Sequence, residues 1–342
     1  MDPWNFAIYM VHNIANYWPK DNLRSILRHM SKYTVFRPDI SEYQGPNFER
    51  DEKESLNKLG LKYAREISEI KREEAVILIT TSQTKEDRIR DYLKELDIRL
   101  IIHPNSGYDN ISHCLVKSLD IPIIIGNEIR SEAVYLYTLS CFLKNIGDIP
   151  YTQDWDPKRS FKRSLKNNIL IYGKGYVGEK LQSFFDSTSF DYTIYDPYKD
   201  LQEIKELSHY QTIILACSLN SQNKYIINKD FLKKLRSDVT IINPARGKLI
   251  KLEELLKFLK ENPRSKAYID VFENEPYSYQ NLDMNNFFPS SHIAGVYDEI
   301  DENIINFESK VIKEYLTLTK NDFLNTFSNS LLKNRIDGDI LI

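Results

Sequence analysis

The stretch Asn168 to Asp196, NILIYGKGYVGEKLQSFFDSTSFDYTIYD, constrains this chain more than any other. A short apolar run, Ile169 to Tyr172, stops at Gly173-Lys174-Gly175-Tyr176-Val177-Gly178. A helix-competent segment, Glu179 to Phe185, follows, and a second apolar run from Tyr192 to Tyr195 ends in Asp196. Strand, glycine turn, helix, strand and terminal acid is the order a dinucleotide site requires. Gly173 permits the tight turn, Gly175 lets a pyrophosphate approach the backbone, and Gly178 lets helix and strand pack closely. The amides at the start of the helix, around Tyr176 and Val177, and the positive end of its dipole then face the phosphates. Asp196 lies near the offset, roughly 20 residues, of the acid that hydrogen-bonds the adenosine ribose. A carboxylate there repels a 2′-phosphate, so the pattern selects NAD over NADP.

A length of 342 residues is compatible with two domains, each able to bury a core. Hydrophobic residues at 42% and charged residues at 28% describe an ordinary globular protein, and a net charge of -3 argues against nucleic-acid binding. The basic stretch Lys158 to Lys166 reads as a solvated connector. Cys114, Cys141 and Cys217 form no CxxC pair and suggest reduced, buried thiols in a cytoplasmic protein. The opening MDPWNFAIYM lacks a basic n-region and a small-residue cleavage site, so no signal peptide is expected. No apolar run approaches membrane-spanning length. The histidines show no HExxH-like spacing, so no metal is expected.

Along the chain, apolar runs alternate with amphipathic segments. Before residue 128 the spacing predicts strands at Phe6–Val11, Tyr33–Phe36, Ala75–Ile79, Arg99–Ile102 and Ile121–Ile125. Helices are predicted at Asp21–Met30, over most of Asn47–Glu73 with a break at Gly60, and at Lys85–Glu95 and Ile111–Leu119. A helix at Ser131–Leu143 leads to a connector containing Pro150, Trp155 and Pro157. Strands at 169–172, 192–195, 212–217, 239–242 and 267–271 follow, and a long helix runs from Ile300 to Tyr315. The tail from Asn321 shows no clear period. Strands separated by helical patterns imply parallel sheets covered on both faces.

Three short blocks fall at or just beyond strand ends, where doubly wound sheets place ligands. In Asn243-Pro244-Ala245-Arg246-Gly247 the arginine is suited to clamping an anion. In Asp270-Val271-Phe272-Glu273-Asn274-Glu275-Pro276 one acid ends a strand and others follow in the loop. In Ser290-Ser291-His292-Ile293-Ala294-Gly295 a histidine precedes a pair of small residues.

With the glycine fingerprint, these blocks resemble the D-isomer-specific 2-hydroxyacid dehydrogenase family. The resemblance runs over most of residues 75–310 and is strongest from Asn168 to Gly295. It implies an α/β fold of two domains, each a parallel sheet flanked by helices. A Rossmann NAD-binding domain, 128–296, would be inserted into a flavodoxin-like substrate domain made of 1–127 and 297–342. It also implies roles. Arg246 would hold the substrate carboxylate and keto oxygen, His292 would be the acid/base and Glu275 its partner. Asp270 would lie near the nicotinamide carboxamide. Cys217-Ser218 would line the adenine side, with Ala245 and Gly295 also at the cofactor. Asn105-Ser106-Gly107-Tyr108-Asp109-Asn110-Ile111 resembles the substrate loop, where the amides of Ser106 and Gly107 would receive the carboxylate. A homodimer formed through 128–150 is implied as well.

The residue types fit a redox reaction of a small 2-oxo acid and its D-2-hydroxy acid. Reduction puts negative charge on the carbonyl oxygen, which a cation must stabilise and an acid protonate. Protonated His292 can do both, and a neighbouring Glu275 carboxylate favours that form. Arg246 would orient the substrate. Glu275 stands where formate-oxidising relatives have an amide, so it speaks against formate. Four positions depart from the family pattern. Val134-Tyr135-Leu136 replaces Val-Ala-Glu, Ser291 replaces proline, Cys217-Ser218 replaces an apolar-Pro pair, and Ser112 replaces an acid. A competing reading is an NAD-dependent sensor like the family's C-terminal-binding corepressors, which keep the same triad.

Overall fold

Isoleucine-, leucine- and valine-rich runs, too short for helices and bounded by polar turns, form the strands of two parallel sheets. The computed structural model describes residues 33–147, 155, 166–197, 199, 204–278 and 284–336. The strand expected at Phe6–Val11, the helix expected at Asp21–Met30 and nearly all of the connector and its basic stretch lie outside these residues. The described residues divide into two compact units, one reaching Ile129 and resuming over Asp298–Ile336, the other spanning Arg130–Tyr297.

The first unit holds β1 (Tyr33–Phe36), β2 (Lys62–Ala64), β3 (Ala75–Ile79), β4 (Asp97–His103) and β5 (Ile123–Ile125). They pair in the order β2-β1-β3-β4-β5, all parallel, which is the flavodoxin-like arrangement. The helix expected over most of Asn47–Glu73 is shorter, spanning Phe48–Lys58. Gly60, at φ 75°, ends it: Gly60 N–H donates to Asn57 O at 2.9 Å and Leu61 N–H to Leu56 O at 3.2 Å. That pair of bonds is a Schellman stop. The chain then turns straight into β2, burying Tyr63 and Ala64.

The tail, which has no clear period, forms helices Lys320–Thr326 and Leu332–Ile336. Between them Ile125 N–H donates to Ser330 O at 2.9 Å, and Leu332 is fully buried in the core of this unit. The tail therefore covers the β5 edge, a position set by tertiary packing rather than by local pattern.

A buried ionic cluster ties the returning chain to β1. Arg37, fully buried just beyond β1, pairs through Nε with Glu52 Oε1 at 2.6 Å and through Nη2 with Glu308 of helix Ile300–Thr317. Tyr63 O–H donates to Glu52 Oε2 at 2.9 Å. Burial pushes Glu308 well above the usual carboxylate range; Arg37 opposes this and the adjacent Glu52 carboxylate adds to it. One cation facing two carboxylates is electrically closed only if one of them keeps its proton.

In the second unit β6 (Asn168–Tyr172), β7 (Asp191–Tyr195), β8 (Thr212–Leu215), β9 (Thr240–Asn243), β10 (Lys266–Ile269) and β11 (Phe287–Pro289) form one parallel sheet. The order is β11-β10-β9-β8-β6-β7, so it reverses between β6 and β8. β11 is a strand that the periodicity does not predict; its FFP run is only three residues long. Alternation along the strands fills both faces. Leu170, Tyr172, Ile213, Leu215 and Ile241 point to one core, while Ile169, Ile171, Ile214 and Ile242 point to another. Burial on both sides is why these strands read as unbroken apolar runs. Strands 212–217 and 267–271 stop earlier than expected, at Leu215 and Ile269, and the helix expected from Ser131 begins at Asn127. Cys114 is exposed, against the expectation of burial, because it lies on the outer side of the short helix His113–Ser118. Cys141 and Cys217 are half-buried.

The ionic cluster makes a stability prediction. Arg37→Ala leaves two buried carboxylates without a cation and is expected to cost about 3–5 kcal/mol in urea denaturation. The fold stabilises the protonated form of Glu308. That contribution is complete below the ordinary glutamate value of about 4.3 and is lost as pH rises through the higher value in the fold. Glu308→Gln, which mimics the protonated form at every pH, is expected to flatten the decline that begins above about pH 4.3.

Candidate functional site

The glycine turn sits at the switch point of the second sheet, between β6 and helix Tyr176–Asp186. Gly173 has φ 104°, and a Cβ on it would meet Ala216 O at 2.7 Å. A Cβ on Gly178 would lie 2.1 Å from Gly173 O, so only glycine allows the helix to approach β6 this closely. Gly175 is the N-cap, Glu179 N–H donates to its carbonyl at 2.8 Å, and Tyr176 and Val177 open the first turn. Asp196, 3% exposed, follows β7 and accepts Lys174 N–H through Oδ2 at 2.8 Å. The acid and the glycine turn are thus built into one another, and they form the cradle a pyrophosphate and ribose need. The described residues fit a dinucleotide.

Across the switch point Ala216 N–H donates to Tyr172 O at 2.7 Å, which carries Cys217 and Ser218 past the end of β8. Cys217 packs on the sheet core, and burial pushes its thiol up to about 12. Ser218 O accepts Asn223 Nδ2–H at 2.7 Å.

The arginine loop is held from beneath. Fully buried Asn243 accepts Ala245 N–H at 3.1 Å and donates through Nδ2 to Arg246 O at 3.0 Å. The half-buried Arg246 side chain donates from Nη1 to Ala245 O at 2.7 Å. A Cβ on Gly247 would lie 2.0 Å from Phe272 C and 2.5 Å from Glu273 N. The backbone after Arg246 therefore rests directly on the peptide that leads to Glu275.

His292 Nδ1 lies 2.8 Å from Glu275 Oε2, and Phe272 N–H donates to Glu275 Oε1 at 2.8 Å. The carboxylate is thereby oriented by the backbone, with one oxygen on Phe272 N–H and the other on the imidazole. His292 has φ 56°, an uncommon conformation outside glycine. Asp270, fully buried, secures it. Asp270 O accepts His292 N–H at 2.8 Å. Its carboxylate takes Ser290 Oγ–H at 2.6 Å and the amides of Ile293 and Ala294, each at 2.9 Å. Tyr137 O–H and Ser290 Oγ are 2.7 Å apart, which connects helix Asn127–Ile146 to the same loop. Asp270 is a keystone of the histidine loop, a role that proximity to nicotinamide does not suggest. Gly295 follows against the Arg130 side chain.

Ser106 and Gly107 belong to the first unit, half-buried in the loop after β4. Fully buried His103 holds that loop, with Nε2 at 2.8 Å from Gly107 O and Nδ1 at 2.9 Å from Thr80 Oγ1. Asn110 Nδ2 donates to Thr81 O and Thr84 O. Ser112, in place of an acid, caps helix His113–Ser118 through Leu115 N–H at 3.1 Å and itself contacts Glu86. At the other departure Tyr135 packs on the sheet core while Leu136 stays 51% exposed. The residues that sequence reasoning left without a role are Asn243, Gly247, Ser290 and His103. An Asn-Pro immediately after a buried strand is the one local signal that marked any of them.

Residues 143–294 match the family model for the D-isomer specific 2-hydroxyacid dehydrogenase, NAD binding domain. A glyoxylate/hydroxypyruvate reductase of Arabidopsis thaliana is 27% identical over 228 residues, which are 61% of this chain and 69% of that protein. An erythronate-4-phosphate dehydrogenase of Legionella pneumophila is 26% identical over 216 residues, 60% of this chain and 57% of that one. In fold, the chain resembles a D-lactate dehydrogenase from Aquifex aeolicus complexed with NAD and lactic acid. The TM-score is 0.65 at 18% identity, covering 88% of this chain and 99% of that one. Over residues 143–294 the chain is thus similar to the NAD-binding domain of D-isomer specific 2-hydroxyacid dehydrogenases.

Proposed function

We propose that this protein is an NAD-dependent oxidoreductase that interconverts a small 2-oxo acid and its D-2-hydroxy acid. The observation that carries the reading is the His292 Nδ1–Glu275 Oε2 contact at 2.8 Å beside the Arg246 loop in an NAD-binding domain. The glyoxylate/hydroxypyruvate reductase among the curated relatives supports the same substrate class. In this reading residues 128–296 bind the cofactor, and 1–127 with 297–342 bind the substrate.

NAD, when bound, supplies or takes up the hydride; Gly173, Gly175, Tyr176, Val177, Gly178 and Asp196 would hold its adenosine and pyrophosphate part. Cys217, Ser218, Ala245, Asp270 and Gly295 would line the rest of its site. Everything else follows from the side chains of this chain. Arg246 pairs with the substrate carboxylate and points the carbonyl, aided by the amides of Ser106 and Gly107. Glu275 fixes Nδ1–H of His292, so that Nε2–H faces the carbonyl oxygen. As charge develops on that oxygen the imidazolium stabilises it and then yields the proton. In the reverse direction neutral Nε2 removes the hydroxyl proton. Asp270 holds the loop that carries the imidazole.

Leu136 and Leu143 are exposed one heptad apart on helix Asn127–Ile146, which supports homodimerisation through this region. The free cysteines support a cytoplasmic location. No helix among the described residues is long and apolar enough to cross a membrane.

Two predictions test the reading. Purified protein is expected to oxidise NADH in the presence of one or more of glyoxylate, pyruvate, hydroxypyruvate and 2-oxoisocaproate. His292→Ala should lower kcat by roughly 10²–10⁴-fold while NADH binding, followed by fluorescence, is kept. NADH binding with no turnover on any oxo acid would instead favour the sensor. Gly247→Ala forces apart the Arg246 and Glu275 loops and is expected to cost about 1–3 kcal/mol of stability. It should also lower kcat/KM at least tenfold in the same assay.

A further inference from the structure

Tyr225 lies in the loop between β8 and the short helix Lys229–Leu232. Its φ is 55°. A bulky aromatic residue in the left-handed region is an outlier that persists only where its surroundings over-determine it. Here they do. Tyr225 N–H donates to Lys248 O at 2.7 Å, and Asn228 Nδ2 donates to Tyr225 O at 3.1 Å. The phenol O–H donates to the Glu273 carboxylate. The ring is flanked by two ammonium groups, Lys251 Nζ at 4.8 Å and Lys224 Nζ at 5.1 Å from its centroid. Ile227 N–H then donates to Leu249 O at 3.0 Å, extending the contact along the same segment.

What this residue joins is more informative than what it touches. Lys248 is two positions after Arg246, and Glu273 two positions before Glu275. One side chain thus bonds to the loop that carries the acid while its own backbone bonds to the loop that carries the arginine. Gly247 supplies the steric half of that junction by lying against the Phe272–Glu273 peptide. Contact without attraction sets a minimum separation only. Attraction is supplied by the phenol, which donates to Glu273, while the two lysines hold the ring from either side. The hydrogen bond to Glu273 holds the phenol above its usual range, so it remains a donor.

We propose that Tyr225 is a positioning residue, a latch that sets the separation and register of the Arg246 and Glu275 loops; this rests on the oxidoreductase reading above. It touches neither substrate nor cofactor. Its strained backbone is retained because a glycine, which fits φ 55° without strain, has no side chain to reach Glu273. Loosening the latch lets Glu275 drift from His292, and misplacement of about 1 Å at a reacting group costs up to about 10²-fold in rate.

The test compares Tyr225→Phe and Tyr225→Gly with the wild type. Amide hydrogen exchange of peptides covering 246–251 and 270–277, which needs no substrate, reads the latch directly. Both variants are expected to exchange faster in both peptides, while Tm of Tyr225→Gly stays at or above that of Tyr225→Phe because its backbone strain is relieved. On a 2-oxo acid that the wild type reduces, kcat should fall about 10-fold in Tyr225→Phe and more in Tyr225→Gly. The loss should fall on kcat, and the NADH Kd should stay within about twofold. Unchanged exchange in the two peptides would overturn the latch, and so would a kcat loss that only follows a loss of Tm. If the wild type reduces no oxo acid, the oxidoreductase reading fails, and the exchange data still decide whether the latch exists.

Discussion

The carboxylate of Asp270 accepts a hydroxyl and two amides within a span of five residues, and its backbone carbonyl accepts the amide of His292. Asp270 is fully buried at the end of β10, so its position is that of the sheet. The loop at residues 290–294, where His292 has φ 56°, takes rigidity from this one side chain. A buried carboxylate is costly unless its lone pairs are used, and here three donors use them. The arrangement converts that desolvation cost into placement of an imidazole. Glu275 then needs only to meet Nδ1, which it does with its other oxygen already fixed by Phe272 N–H.

The same logic recurs at Asn243. Its side chain, buried at the end of β9, accepts from Ala245 and donates to Arg246, so the arginine too hangs from a strand end through a polar side chain. Two adjacent parallel strands each present one buried polar residue at the carboxyl edge, and each sets one chemical group above it. Register does the rest: Ile269 is paired with Asn243, so the two anchors differ by a single position across the ladder. Precision in the loops is inherited from hydrogen bonds of the sheet, and Gly247 is what lets the loops close on each other.

How much of this was legible in the residues depends on the range of the interaction. The glycine turn was legible because its demands are local: a positive φ at Gly173 and a contact within five residues at Gly178. The buried strands were legible because both of their faces are covered, leaving unbroken apolar runs. The proposed chemical residues Arg246, Glu275 and His292 became visible through resemblance, since a lone arginine or histidine carries no local signature. β2 was hidden inside a charged stretch read as helix, although Gly60 marked the break. β11 and the two tail helices were hidden because short elements are defined by what they pair with, as Ile125 with Ser330. The ionic cluster of Arg37, Glu52 and Glu308 joins positions 271 residues apart and could not be read from spacing.

Two described residues other than glycine lie in the left-handed region, His292 and Tyr225, and both belong to the carboxyl edge of the second sheet. Local preference would place extended or helical backbone at each. A chain whose local choices otherwise agree with its fold breaks that agreement where geometry is wanted for another purpose. At His292 the purpose is evident, because the left-handed turn lets successive amides at 293 and 294 reach the same carboxylate while the imidazole points to Glu275. At Tyr225 the same turn lets the amide reach Lys248 O as the phenol reaches Glu273. An extended backbone there would swing one of those two groups away. Both strained residues therefore make one backbone contact and one side-chain contact in different directions, and they converge on the same loop, Phe272 to Glu275.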